Sequence, residues 1–337
     1  MLQEVISRYP PRCRGAPAES PVHRGFSGAR IARVRAPAGE FCLRGWPAGT
    51  PPHRPRNRGL HRLLAFVQQA GVAQVPVPVC SESGETLVEV RGRCWQLEPW
   101  MQGLADFHSH PSAARLRSAM AVLAAFHRAA ARFEPQIDES PWFASQAAAP
   151  SPAVLERRRQ LREWERGKLG LLKQRLCAAA DSEFRRLAVD VVDCCGRLGA
   201  SVAAQLDAAA ALTFRLTPCI RDVWHDHVLF TGDTVTGLID LAACRSESVA
   251  ADLARLVGSL AGDDAGQWDL ALAAYQQQRP LSVDELGLVP VLDRSGVLLS
   301  GLAWLDRRYL RQDETVEVPR VCERLGGIVG RLRRMAA

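Results

Sequence analysis

LTFRLTPCIRDVWHDHVLFTGDTVTGLIDLAA, residues 212–243, decides how the rest of the chain is read. Val228, Leu229 and Phe230, and then Val235, Leu238 and Ile239, are apolar, β-branched or aromatic types that suit strands, and Thr231-Gly232-Asp233-Thr234 between them carries turn chemistry. The pattern predicts a β-hairpin with one carboxylate, Asp222, ahead of it and a second, Asp240, just past its end. The two stand 18 residues apart (240 − 222), yet the mouth of a single hairpin can deliver both to one small volume. Converging carboxylates suit phosphoryl transfer. One accepts or orients the proton of an attacking hydroxyl, and the other holds the magnesium that bridges nucleotide phosphates. His227, five residues past Asp222, stands where a second metal ligand would be supplied.

The segment resembles the catalytic loop and metal-binding strand of the aminoglycoside phosphotransferase and choline kinase family. That pattern reads His-Gly-Asp-x-His-x-x-Asn-hydrophobic-Leu-Phe, then a hairpin, then Ile-Asp. With Val228-Leu229-Phe230 in register, the resemblance implies that Asp222 is the catalytic base and Asp240 the metal-binding Asp. Ala250-Ala251-Asp252-Leu253-Ala254 is similar to the family's Asp-Leu-Ala, whose Asp supports the catalytic loop. Departures are plain: Ile220 and Trp224 stand where the two His belong, and His227 replaces the Asn.

The implied architecture is α+β and bilobal, protein-kinase-like, with a small β-rich N-lobe and a larger, mainly helical C-lobe. The implied cofactors are ATP, or GTP, with Mg2+ or Mn2+, and the implied reaction moves a γ-phosphoryl group to a small-molecule hydroxyl. Aminoglycoside, choline, homoserine and sugar acceptors all stay open. The departures support a second reading, a catalytically degenerate nucleotide-binding protein. A third takes His225-Asp226-His227 as the transition-metal site of a hydrolase, because imidazoles suit zinc or iron better than magnesium. No further His-rich motif supplies a third ligand for it.

Upstream, residues 1–21 read as a mobile entry segment: a short helix over Leu2–Tyr9, then Pro, Arg and Gly. Residues 22–99 read as the nucleotide-binding lobe. Short strands over 24–29, 31–35 and 41–46 flank Gly25-Phe26-Ser27-Gly28 and a second Gly-bearing turn. Glycines let backbone approach phosphate oxygens and a following cation neutralises them, so Gly25, Ser27, Gly28 and Arg44 are the candidate phosphate binders. Arg44 stands where the family carries Lys, and its planar fork reaches phosphate differently. A helix is predicted over His61–Ala70, stopped by Gly71. The resemblance implies a Glu there to pair the strand cation, but none occurs between Thr50 and Val79. A hairpin follows over 86–97. Glu98-Pro99-Trp100-Met101-Gln102-Gly103 then resembles the family hinge, whose backbone around Glu98 and Trp100 would meet the adenine edge.

Residues 100–337 read as the C-lobe. A helix over 113–133 carries His127 on an apolar face, where a hydrogen-bonded structural role is expected. A loop covers 134–152, a heavily charged helix 153–176, and an apolar-striped helix 183–206. After Asp252 the pattern is helical to the end, with Tyr275 similar to the Tyr of the family's late helices.

The chain has 337 residues, 47% of them hydrophobic and 23% charged, enough for two lobes of an ordinary globular protein. No uninterrupted apolar run approaches the ~18–20 residues of a membrane span, and MLQEVISRYPPRCRG lacks a signal-peptide core, so the expectation is a cytoplasmic protein, monomeric or dimeric. Ten scattered Cys without a Cys-x-x-Cys pair read as reduced core thiols. The formal charge of +7 is Arg-rich and spread out, without aromatic-plus-basic clustering, which argues against a nucleic-acid partner.

Overall fold

Residues 30–36, RIARVRA, alternate long polar and small apolar side chains. In the computed structural model they form a strand that buries Ala32 and Val34 and leaves Arg30 and Arg35 exposed. The structure describes residues 1–19, 29–47, 49, 52–313 and 318–337. Its contacts group into two units, one of residues 1–145, 217–246 and 270–280, the other of residues 146–216, 247–269 and 281–337. The sheet-rich first unit therefore keeps residues 100–145, where the sequence suggests a boundary at 99/100.

In the first unit, helix α1 (Leu2–Ile6) precedes strands β1 (Ala16–Glu19), β2 (Arg30–Ala36) and β3 (Gly39–Gly45), helix α2 (Arg54–Gln69), and strands β4 (Val88–Val90) and β5 (Arg93–Pro99). The strands form an antiparallel sheet in the order β1-β2-β3-β5-β4. The β3–β5 register sets Arg44 opposite Gln96 and Cys42 opposite Glu98, so these four side chains share one face. On the sheet's apolar core lie Val5, Ile6, Tyr9 and Cys13 with Val34, Leu43, Trp95 and Leu97. Residues 1–19 are thus folded onto the sheet and are not a mobile entry segment. Val5 and Ile6 of α1 and Tyr9 just beyond it are buried, and their burial outweighs the Pro and Arg content that suggested disorder.

Helix α2 begins seven residues before the expected His61. Pro55 sits in its first turn, where a missing N–H costs nothing, and the His53 side chain accepts from Arg56 N. Beyond β5 come α3 (Ala113–Ala130), capped by Ser112, and α4 (Ser140–Phe143). Buried His127 bonds through Nδ1 to the Tyr275 hydroxyl at 2.7 Å, a structural pairing. The hinge rests on the hairpin of residues 228–238 through Gly103, whose φ is +107°. A Cβ there would lie 2.5 Å from Thr236 Oγ1 and 2.8 Å from Phe230 O. Gly103→Ala should therefore cost about 2–4 kcal/mol, strain and overpacking together, read as a lower urea midpoint at unchanged slope.

The second unit is mainly helical. Strand β6 (Gln146–Ala149) pairs with the start of β7 (Phe214–Cys219), and α5 (Pro152–Glu163), α6 (Leu169–Ala178) and α7 (Glu183–Ala210) lie between them in sequence. The expected helix over 153–176 is broken over Trp164–Lys168, where Gly167 takes non-helical dihedrals. Helix α7 buries the predicted stripe, Val191, Cys194, Leu198, Val202 and Leu206 among it. Glu247 is fully buried. Its carboxylate accepts from Ser151 Oγ (2.6 Å), Ala153 N (2.7 Å) and Ser248 N (2.9 Å), capping α5 with negative charge where the helix dipole favours it.

The remaining elements are the hairpin strands β8 (Val228–Thr231) and β9 (Thr234–Leu238), β10 (Arg245–Glu247), α8 (Ala250–Ala261), α9 (Ala265–Gln276), α10 (Val283–Leu305) and α11 (Val318–Ala336). Among the described residues, one helix, Val283–Leu310, is long and apolar enough to cross a membrane by length and composition, and half of its most apolar window is buried within the protein. Asp293 and Arg294 interrupt the apolar run, which is why counting unbroken residues passed over it. Asp293 pairs with Arg331 of α11, as expected of a core helix.

Candidate functional site

The predicted hairpin is present. Val228 pairs with Leu238 and Thr231 with Thr234, and Gly232 takes φ +59° in the two-residue turn. At its mouth Ile239 N donates to His227 O (3.0 Å), which brings the loop before β8 beside the residue after β9. Both flanks hold non-glycine residues in the left-handed region, Arg221 (φ 66°) and Asp240 (φ 57°, ψ 53°). Such backbone is uncommon and collects at functional sites.

His227 is the link across this mouth. Trp224 Nε1 can only donate, so His227 Nε2, 3.0 Å away, accepts; the imidazole proton then sits on Nδ1 and is donated to Asp222 O at 2.7 Å. His227 Nε2 also lies 3.9 Å from Asp240 Oδ2. The Asp222 backbone carbonyl, the His227 ring and the Asp240 carboxylate thus lie at one end of the hairpin. Both ring nitrogens of His227 are engaged, so a metal could use it only at the cost of the Trp224 bond. The same fact counts against a paired His225–His227 metal site, and His225 packs its ring against Trp224 and His108.

Arg44 of β3 reaches the second carboxylate. Its Nη1 and Nη2 each donate to Asp240 Oδ1 at 3.1 Å. The Arg44 side chain is 21% exposed and that of Asp240 44%. Burial works against the Arg44 charge, but Glu98 and Asp240 outweigh it and hold the guanidinium above its usual pKa. Arg44 Nε is buried without a hydrogen-bond partner among the described residues.

Behind this pair runs a polar chain that sequence reasoning missed. Gln96 Nε2 donates to Glu98 Oε2 at 2.5 Å, His61 Nε2 meets Gln96 Oε1 at 3.0 Å, and Thr86 Oγ1 meets His61 Nδ1 at 2.6 Å. Burial pushes His61 down to about 4, so the ring is neutral. Burial raises the Glu98 carboxyl above its usual range, with Arg44 opposing. Arg56 of α2 donates to the carbonyls of Ala242 (2.7 Å) and Cys244 (3.1 Å), fixing the segment after Asp240. The available signals were a His on an apolar helix face and a Gln two residues before Glu98.

A cleft within the first unit is lined by Arg44, Asn57, His61, Gln96, Glu98 and Asp240, with Trp46, Leu60, Leu64 and Leu241 as apolar walls. At the hinge, Trp100 N donates to Glu40 O (2.9 Å), and the Arg33 guanidinium sits 4.6 Å above the Trp100 ring. The Trp100 amide is therefore in use, and the Glu98 side chain belongs to the Arg44 cluster. Gly25, Ser27 and Gly28 lie outside the described residues. Asp252 is fully buried in the first turn of α8, in the second unit.

The donor set fits magnesium through Asp240, a half-exposed hard-oxygen ligand whose Oδ2 is not used by Arg44. One or two carboxylates plus phosphate oxygens and water are the usual set for that ion.

The model of the phosphotransferase enzyme family matches residues 19–286. A homoserine kinase of Methylorubrum populi is 27% identical over 244 residues, 70% of this chain and 64% of that relative, so the match spans just under two thirds of the relative's length. Among solved structures, spectinomycin phosphotransferase APH(9)-Ia in complex with ADP and spectinomycin superposes with a TM-score of 0.64 at 10% identity, covering 94% of this chain and 91% of that one. A microcompartment-associated aminopropanol kinase superposes with a TM-score of 0.61 at 14% identity, covering 99% and 96%. These likenesses establish the fold, a sheet-rich part and a helical part of the protein-kinase-like type.

Proposed function

Because the chain belongs to the phosphotransferase enzyme family, we propose that it transfers the γ-phosphoryl group of ATP to the hydroxyl of a small amino alcohol, of which homoserine is the first to test. The observation that carries the reading is the Arg44–Asp240 contact, joined through His227 to the Asp222 loop. It supports the reading by bringing Arg44, Asp240 and the backbone of Asp222 to one end of the hairpin. The amino alcohol is suggested by the homoserine kinase relative and the aminopropanol kinase neighbour.

Asp222 orients the acceptor hydroxyl and takes its proton as the new O–P bond forms and the bond from the γ-phosphorus to the bridging oxygen breaks, releasing ADP. Arg44 turns its fork to the phosphate oxygens. Asp240 would hold the magnesium, which supplies charge neutralisation at the transferring phosphates when bound. The His227 Nδ1–H bond to the Asp222 carbonyl keeps the Asp222 loop in place, and the Trp224 bond to Nε2 fixes the tautomer that donates it.

One observation favours a second reading, a non-catalytic nucleotide binder: both ring nitrogens of His227 are engaged, which weakens it as a second metal ligand beside Asp240. The test measures ADP release from ATP with magnesium over a panel of homoserine, aminopropanol, choline and an aminoglycoside, beside thermal shifts with nucleotide alone. Acceptor-dependent release at least about tenfold over background is expected. Nucleotide stabilisation without acceptor-dependent release would favour the binder, and no nucleotide effect at all would defeat both readings.

A further inference from the structure

Arg44 is a largely covered cation, its side chain 21% exposed and its Nε buried, whose two terminal nitrogens are spent on Asp240. A divalent ion on Asp240 competes for that carboxylate, and a buried guanidinium that loses its counter-charge is strongly destabilised. Release of Asp240 therefore calls for another anion within reach, the nucleotide's phosphate oxygens or a second acid of the protein. Helix α2, RPRNRGLHRLLAFVQQ, contains no Asp or Glu, so it cannot supply one. Its contribution to the cleft is neutral: Asn57, Leu60, His61 and Leu64.

Glu98 meets the requirement from the sheet. It lies on the same face as Arg44, one diagonal step away in the β3–β5 register, a separation that long side chains bridge. The chain behind it has a fixed polarity. A carboxylate at Glu98 accepts from the Gln96 amide, whose oxygen accepts from His61 Nε2–H, whose Nδ1 accepts from the Thr86 hydroxyl. Each group is satisfied only while Glu98 acts as an acceptor. Resting on the reading that the cleft takes nucleotide and a divalent cation, we propose that Glu98 is a positioning residue that receives Arg44 when Asp240 turns to the metal. His61 and Gln96 hold Glu98 ready for that exchange. The counter-charge of the phosphate-binding cation is thus carried by strand β5, and α2 serves only to orient it.

The test is calorimetric titration of Mn2+ into the full-length chain saturated with ADP, which needs no turnover. Glu98→Gln should bind Mn2+ about tenfold more weakly than wild type, the scale of an outer-shell partner's loss. In an Arg44→Gln background the same substitution should change nothing, because the carboxylate acts only through the guanidinium. A purely structural Glu98 would lower the unfolding midpoint equally in both backgrounds and leave Mn2+ affinity alone. Should Glu98→Gln fail to fold, Gln96→Met keeps both charges and removes the bond that holds Glu98, and about threefold weaker Mn2+ binding is expected. Unchanged affinity in the folded variant, or a loss that persists without Arg44, overturns the proposal alone. Failure of wild type with ADP to bind Mn2+ overturns the cation reading beneath it as well.

Discussion

Asp222→Asn is expected to lower acceptor-dependent turnover by about 10²–10⁴-fold, the range a positioned general base contributes, while ATP affinity stays within about threefold. The substitution is isosteric. The contact that fixes this loop, His227 Nδ1–H to Asp222 O at 2.7 Å, uses the backbone carbonyl and survives it. The groups assigned to nucleotide, Arg44 and Asp240, are bonded to each other and not through the Asp222 carboxylate. The loss should therefore fall on kcat, with the KM for ATP little changed. A variant that kept wild-type kcat would show that Asp222 takes no proton, and a parallel loss of ATP binding would show that it shapes the cleft.

Much of this site was legible because its signals are local. Three strand formers on each side of Thr-Gly-Asp-Thr specify the hairpin, and with it the proximity of His227 and Asp240. What stayed hidden depends on distance or on tertiary override. Arg44 and Asp240 are 196 residues apart, and no periodicity announces their bond. Glu98 reads as a hinge residue by its neighbours Pro99 and Trp100, yet strand alternation turns its side chain to the face that holds Arg44 and Gln96. The start of α2 at Arg54, with Pro55 in its first turn, lies outside the predicted helix, and Val5, Ile6 and Tyr9 read as part of a loose tail although the sheet buries them. The helix break at Gly167 was also hidden, since a single Gly in a charged helical pattern is ordinarily tolerated.

Arg331→Met should destabilise the helical unit by about 3–5 kcal/mol, the usual cost of breaking a buried pair by removing one partner. Arg331 bonds Asp293 through Nη2 (2.7 Å) and Nη1 (3.2 Å), Asp263 through Nε (2.8 Å) and the Gly258 carbonyl (3.3 Å). Asp263 keeps Arg334 at 2.6 Å when Arg331 is gone, whereas Asp293 loses its two bonds to Arg331 and is left with the weaker field of Arg157, and burial already raises its carboxyl with Arg331 opposing. Removing the guanidinium pushes that carboxyl higher still, so the folded variant takes up a proton that the unfolded chain gives away. A folded-state pKa raised above the unfolded value makes stability increase as pH falls, so the variant's deficit should be largest near pH 8 and shrink toward pH 5. Adding Asp293→Leu should recover most of the loss at pH 8 and remove its pH dependence, because replacing both partners by apolar groups is close to neutral. Thermal midpoints of the two variants across pH decide the matter. A deficit that is flat with pH would mean that Asp293 is solvated, and that Arg331 acts by packing its stem and not by its charge.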